Sequence, residues 1–480
     1  MALHNKKVLF ITTCVITLAV FAGIFALLLN IKAFKPQLEA AVSAAIGADA
    51  RIKGKINISF SPGIGLSLKD VNVRNRGSDF VTIEKMRIGL KIFPLTRKAF
   101  QISSIRLIKP SFSIVKHKNG IFNFDKPGNT LSGKPFAIDN ISVSQGNLVY
   151  KDETSGEKIE ANNFDLILRN LSYIKRDSAE QPKRISFNGN ILCKTLKIYN
   201  STLTNLVMKG AGGKGIIDIN QVSVNIAGGT GNGSIRVDMT GPSPHYRVIY
   251  ALNRVRIEEL FQQYLNKKNP RKAIEGPINL SFDLTAMGKS ADEVKRSLNG
   301  NLSLNGENLM LYNMDIDALI MKYKRSQNIN LVDVGAILLL GPFGPLLTKS
   351  YHFASLYEES QGGKGIIRKL VLVWNVKNGI AEAQDVALAS TKQRIAMKGG
   401  LNFINERFDD VTIAVLDKQG CTVFSEKVHG PFRKPQIEKE NIFKSISGPL
   451  LNPLEDAWKF IQGEECTVFY SGSVRHPSRY

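Results

Sequence analysis

From Ile52 onward the chain alternates apolar and polar residues with a period of two. Ile56, Ile58 and Phe60 are separated by Asn57 and Ser59, and Leu66, Leu68, Val71 and Val73 continue the pattern across a turn or bulge near Asp70. Alternation of this kind marks β-strands with one apolar and one polar face. It recurs at 102–107, 112–115, 138–143, 163–168, 185–191, 216–226 and 235–239. Further on it returns at 278–284, 302–311, 366–373, 381–388, 395–403 and 411–415. Gly, Asn and Asp punctuate the runs, as hairpin turns require. Sequential strands with short turns predict a mostly antiparallel meander. So much sheet does not stay one flat layer, so it is expected to curl, close or extend as a rod. Its apolar face needs cover, either from side chains or from something else.

Helical periodicity is confined to short segments. Leu38, Ala41, Val42, Ala45 and Ile46 share one face of a helix over 36–47, with Pro36 suited to its first turn and Gly47 to its end. Residues 258–265, 315–325 and 454–461 read as further short helices, and Ser290-Ala-Asp-Glu293 is a capping box opening another.

The first 30 residues change the picture. Val8–Leu29 is a run of 22 residues without a charge. About 20 apolar residues span a ~30 Å hydrocarbon core. A cleaved signal peptide is the alternative, but its apolar region is shorter and ends in a small-residue cleavage site. The expected topology is a short cytoplasmic N-terminus, an uncleaved anchor and the bulk of the chain on the far side, which in a bacterium is the periplasm. The 480 residues carry 64 Lys and Arg against 41 Asp and Glu, a formal charge of +23. Behind a membrane anchor this excess does not point to nucleic acid. It is either ordinary surface solvation or a rim that pairs with anionic head groups.

The common signatures of catalysis are missing from the sequence. The sequence has no Gly-x-Ser-x-Gly, no His-Glu-x-x-His and no Cys-x-x-Cys, and its six His are scattered. Gly210-Ala-Gly-Gly-Lys-Gly215 matches a dinucleotide fingerprint formally but precedes a strand, so it is expected to be a glycine-rich turn. Gly288-Lys-Ser290 lacks the leading glycine of a phosphate loop and reads as the helix cap. Residues 334–347 form an apolar loop that either touches lipid or packs under the sheet. No metal site, cofactor or catalytic residue is expected. Cys421 and Cys466 lie in Cys-Thr-Val-Phe-Ser and Cys-Thr-Val-Phe-Tyr, read as two near-identical strands. In an oxidising compartment they form either one bridge or two independent thiols.

Several segments together resemble the AsmA family of bacterial envelope proteins. The anchor and Ala-rich helix lead into Ile-Gly-Ala-Asp-Ala-Arg-Ile-Lys-Gly (46–54) and Ser-Pro-Gly-Ile-Gly-Leu-Ser-Leu-Lys-Asp-Val-Asn-Val (61–73). Residues 105–115, 120–124 and 145–156 continue the likeness, as do 228–241, 288–317 and 430–435. The apolar loop and the Cys-Thr-Val-Phe pair depart from it.

The resemblance implies a curled, repeating β-groove of the bridge-like lipid-transfer kind, anchored in the inner membrane and supporting outer-membrane integrity, with no catalytic residues to carry over. It implies an anchor at 8–29 after a cytoplasmic 1–7, then groove regions at 30–275 and 276–480. Phospholipid or another envelope lipid is the expected partner, with envelope proteins as further candidate partners. Candidate groove residues are Ile56, Ile58, Phe60, Leu66 and Leu68 in the first strands, and Leu280, Phe282, Leu284, Leu302 and Leu304 further on. The competing expectations are a structural or assembly factor with a side-chain-filled core, and an anchored enzyme of unrecognised type.

Overall fold

A computed structural model describes residues 48–59, 63–75, 78–91, 102–125, 136–173, 185–199, 201–260, 274–312, 314–326, 363–432, 434–439 and 468–479, together with helical residues 35, 36, 38–40, 43 and 338. The anchor segment Val8–Leu29, Phe60, the helix expected at 454–461, and all of the apolar loop except Leu338 lie outside them.

Twenty-one strands dominate the described chain. The contacts divide it into two units, one of residues up to Tyr199 with Asn205–Lys214, the other of Asn200–Thr204 with Gly215–Tyr480. In the first unit, β1 (Asp49–Ile52) and β2 (Ile56–Ser59) both pair with β3 (Gly65–Asn75). The sheet continues through β4 (Ser78–Leu90), β5 (Ile102–Lys116), β6 (Phe136–Asp152), β7 (Lys158–Tyr173) and β8 (Ile185–Ile198). β9 is Ser201–Gly213. The expected helix near the N-terminus is seen at Leu38, Glu39, Ala40 and Ser43. Its Glu39 Oε1 accepts from the Ile52 N–H at 2.6 Å and its Ser43 Oγ from the Ala50 N–H at 2.8 Å, which ties it to β1.

One pairing departs from the expected antiparallel meander. β5 and β6 run parallel, from Ser104↔Asn140 to Lys116↔Asp152. Parallel neighbours need a crossover of a dozen or more residues. Residues 117–135 supply it, returning the chain to the end at which β5 began.

In the second unit, β10 (Ile216–Ile226), β11 (Gly229–Asp238), β12 (His245–Arg256), β14 (Pro277–Met287), β15 (Asn299–Tyr312) and β16 (Lys364–Lys377) pair in order, and β13 (Ile274–Glu275) adds to β15. β17 (Ile380–Ala389), β18 (Arg394–Asn402), β19 (Arg407–Leu416), β20 (Thr422–Pro431) and β21 (Gln436–Lys439) complete the meander. Among the described residues it is interrupted by the short helices α1 (Ile257–Leu260), α2 (Ala291–Arg296) and α3 (Ile316–Ser326). α2 has its expected cap, Ser290 Oγ accepting from the Glu293 N–H at 3.2 Å while Glu293 Oε2 accepts from Lys289 N–H at 2.8 Å. The glycine-rich match at 210–215 ends β9 and turns at Lys214 and Gly215, both at positive φ (53° and 87°), the geometry of a tight hairpin turn. The second Cys-Thr-Val-Phe copy is not a strand in its described part. Val468 makes only an isolated bridge to Cys421, just before β20.

A recurrent device interrupts the alternation. Asp70, Lys109, Gln145, Asn163, Arg254, Asn308 and Asp410 each sit inside or beside a strand pairing with φ between 48° and 54°. Residues at this φ form bulges that shift the strand's side-chain phase. Thus Leu66 and Leu68 face the same side as Val71 and Val73, and Leu302 and Leu304 the same side as Leu309 and Leu311. In the first unit the bulges lie level with one another. Glu84, opposite Asp70 between paired neighbours, forms an ion pair with Lys109 at 3.0 Å, and Gln145 N–H donates to Asp165 at 2.9 Å.

Candidate functional site

Because cross-strand partners share a face, the pairing registers show what the apolar positions build together. One row in the first unit runs Ile56, Leu68, Met86, Leu107, Val143, Leu166, Ile191. A second runs Ile58, Leu66, Ile88, Ile105, Ile141, Leu168. Beyond the bulges a third runs Val73, Val81, Phe112, Leu148, Ala161, Leu196. These rows form an apolar lane lying across the strands of the unit. Where the lane crosses the bulges, Gly146 has no side chain because a Cβ there would meet the Phe164 ring and Val143. Phe164 closes over that glycine and meets Phe112 at a centroid distance of 6.2 Å.

The cover over this lane is uneven. Ile52, Leu68, Val71, Ile83 and Ile88 form a small core, against which Leu38 of the leading helix and Ile56, Leu66 and Leu107 pack. On β5 to β8, by contrast, Ile105, Phe112, Ile141, Leu148, Phe164, Leu166 and Ile191 are only half-buried. Among the described residues no large core forms over them.

The second unit repeats the arrangement. Val222, Gly233, Tyr250, Phe282, Leu302 and Trp374 form one row, and Val224, Gly231, Leu252, Leu280, Leu304 and Leu372 the next. Tyr250 and Phe282 stack at 6.1 Å. From β15 onward the face is closed. Leu304, Leu309, Leu311, Ile367, Leu372, Trp374, Ile395 and Ile413 have no exposed surface, and Met314, Ile316, Ile320 and Leu338 belong to the same core. The cover is pinned electrostatically. Asp317 of α3 is buried, and its carboxylate accepts from the Ser390 and Thr391 hydroxyls and, at 3.3 Å, from the Lys392 N–H in the turn after β17.

Of the candidate groove residues, the structure brings Ile56, Ile58, Leu66 and Leu68 together on the first lane and Leu280, Phe282, Leu284, Leu302 and Leu304 together on the second. Their burial differs. Ile56, Ile58, Leu66, Leu280, Phe282 and Leu284 are half-buried, while Leu68, Leu302 and Leu304 lie inside filled cores. Residues 105, 107, 141, 143, 148, 164 and 166 occupy equivalent positions, and all but Leu148 fall in runs whose alternation is plain in the sequence. The lane is uncharged chemically as well as by composition. Burial pushes the Cys193 thiol and the Tyr250 hydroxyl up, so both stay protonated at neutral pH.

No group of His, Cys, Asp and Glu able to hold a metal ion occurs among the described residues, and no described helix is long and apolar enough to cross a membrane. Cys193 is a free, buried thiol and Cys421 is disulfide-bonded. Cys466, its expected partner, lies outside the described residues, two positions before the Val468 that bridges to Cys421.

No curated protein and no solved structure matches the chain. The model of the AsmA family does, over residues 4–173 and again over 172–385. Two successive matches spanning most of the sequence agree with two units that each carry a lane of the same construction, and the chain belongs to the AsmA family.

Proposed function

We propose that this is a lipid-handling protein of the bacterial envelope, held in the inner membrane by Val8–Leu29 with the bulk of the chain in the periplasm, and that the apolar lanes shield acyl chains as lipids move between membranes. The observation that carries the reading is the half-buried lane on β5–β8, a broad apolar face with no large side-chain core over it among the described residues. An acyl chain laid on such a face gains ~0.8 kcal/mol for each CH₂ removed from water. Because neighbouring rows are chemically alike, no position along the lane traps it. Ile56, Ile58, Leu66, Leu280, Phe282 and Leu284 belong to this lining, and Leu68, Leu302 and Leu304 to the packed floor beside it. Phe60 is assigned to the lining on its alternation with Ile58.

The test is lipid bound per full-length chain, measured by mass spectrometry in one detergent for the wild type and for Phe164→Arg. Lipid held by the anchor is common to both proteins and cancels. The reading expects a loss of specifically bound lipid in a variant that still folds, and equal lipid would contradict it. A reporter fused after Tyr480 tests the topology, with activity expected only outside the cytoplasm.

A second reading, a non-catalytic assembly factor working through protein partners, draws on the filled core of β15–β20, which offers no room to an acyl chain.

A further inference from the structure

On the face of the first sheet opposite the apolar side chains lies a cavity of about 240 Å³ lined by Arg87, Arg106, Ser104, Ser142, Asn140 and Asp139 over Gly65 and Gly89. The registers explain it. Gly65, Gly89, Ser104 and Asn140 are successive cross-strand neighbours, and Arg87, Arg106 and Ser142 form the adjacent row. The glycines make the floor, since a Cβ at Gly65 would strike the Ile88 carbonyl and one at Gly89 the hydroxyls of Ser104 and Ser103. A register shift between Gly89 and Leu90 brings both serine hydroxyls over this floor.

Two arginines directly opposite one another repel, and among the described residues neither has an acidic partner. Asp139, which lines the same cavity, is engaged by Lys91 at 3.2 Å. Two buried polar atoms in this cavity also lack a hydrogen bond, Arg87 Nε, a donor, and Asn140 Oδ1, an acceptor. Unmet buried groups carry a cost, and the two require opposite partners. A phosphoryl oxygen satisfies the first and a hydroxyl the second. The volume falls below the ~300 Å³ at which drug-sized ligand sites begin.

We propose that this cup binds a phosphate ester bearing a neighbouring hydroxyl, such as a glycerophosphate group, with Arg87 and Arg106 on the phosphoryl oxygens, Ser104 and Ser142 donating to them, and Asn140 accepting from the hydroxyl. The site lies on the polar face and does not depend on what the apolar lane carries. Such a group arises either as a small free ester or as the head group of a glycerophospholipid.

The test is calorimetric titration of the full chain in an uncharged detergent with sn-glycerol 3-phosphate, inorganic phosphate and dihexanoyl phosphatidylglycerol. Glycerol 3-phosphate is expected to bind about tenfold more tightly than inorganic phosphate, which has no hydroxyl for Asn140, and to lose about tenfold or more in Arg106→Gln and in Arg87→Gln. Tighter binding of the lipid than of the free ester, retained in Phe164→Arg, assigns the cup to head groups, and the reverse order assigns it to a free ester. Both orders uphold the phosphoester site. Absence of binding by either ester, or binding that both Gln variants leave unchanged while their thermal midpoints match wild type, would overturn it. Asn140→Asp, which keeps shape and adds a repelling charge, gives an independent variant and is expected to abolish binding.

Discussion

The strands β5–β8 and the strands β15–β19 are built alike and finished differently. Both alternate, and both contain bulges at positive φ, Lys109, Gln145 and Asn163 in the one and Asn308 and Asp410 in the other. Yet Phe164 and Leu148 are half-exposed, whereas Leu304 and Ile413 have no exposed surface. The difference does not come from the strands. It comes from Met314, Ile316, Ile320 and Leu338, which cover the second face, and for which the first has no described counterpart. A two-fold alternation therefore says which face is apolar and leaves open whether protein or a ligand covers it.

Charging the two faces is the strongest way to break this comparison. Leu304→Asp places a carboxylate without a partner in a packed core and should cost ~4 kcal/mol or more. Phe164→Arg puts a charge on a half-covered face where the long side chain can reach water, and should cost far less. Thermal unfolding of the two variants checks this, and equal destabilisation would remove the distinction between the regions.

The Cys421 disulfide gives the next largest effect. If its partner is Cys466, the bridge closes a loop of about 45 residues and Cys421→Ser should lose ~4 kcal/mol on the chain-entropy model. Hydrogen exchange should report that loss in β17–β20 and leave β4–β8 unchanged. Peptide mapping without reductant identifies the partner, and a free Cys466 would refute the pairing.

The cover itself can be loosened. Asp317→Ala removes the acceptor for two hydroxyls and a backbone N–H in the Ser390–Lys392 turn. Hydrogen bonds to a charged group are worth ~1.5–3 kcal/mol each, so a loss of ~2 kcal/mol is expected, with faster exchange in α3 and along β16. If exchange there stays at the wild-type rate, α3 is not the cover.

The smallest effect concerns acid. The Lys116 ammonium beside Asp152, followed by the backbone N–H groups of Thr154 and Ser155, holds that carboxyl down at about 2. A folded-state value below the unfolded one means the stabilisation is complete above the ordinary carboxylate range of ~4 and fades as pH falls toward 2. Asp152→Asn should therefore flatten a small acid-side slope in the stability of the first unit and leave the second unaffected.

The sequence shows much of this molecule and hides specific parts of it. The 216–226 strand and the helix near 315–325 match the structure almost to the residue, because alternation with a single slip between Ile219 and Val222 and a clean amphipathic turn leave little choice. β5 reads as two pieces, 102–107 and 112–115, because Lys109 shifts the phase between Leu107 and Phe112. β4 escapes notice for the same reason, with Val81 and Ile83 on one phase and Met86 and Ile88 on the other. β9 and β12 lack a sustained alternation in the sequence, Gly-rich in one case and nearly continuous in apolar residues in the other. The parallel pairing of β5 and β6 depends on where residues 117–135 deliver the chain, which no local pattern encodes. The lane face was legible and its cover was not, since Leu304 and Leu166 alternate alike and differ in what packs on them from elsewhere. The polar cup has still less of a signal, because its arginines and serines come together only through the register of β4, β5 and β6.

The most direct measurement is site-specific photo-crosslinking in cells, with a benzophenone side chain placed at Leu148 or Phe164 on the open lane, at Leu304 in the closed core, and at Val149 on the opposite face of β6. A lane that carries lipid predicts lipid adducts, seen by mass spectrometry, at 148 and 164 and none at 304 or 149. Adducts at Val149 equal to those at Leu148, or none at either lane position, would contradict it.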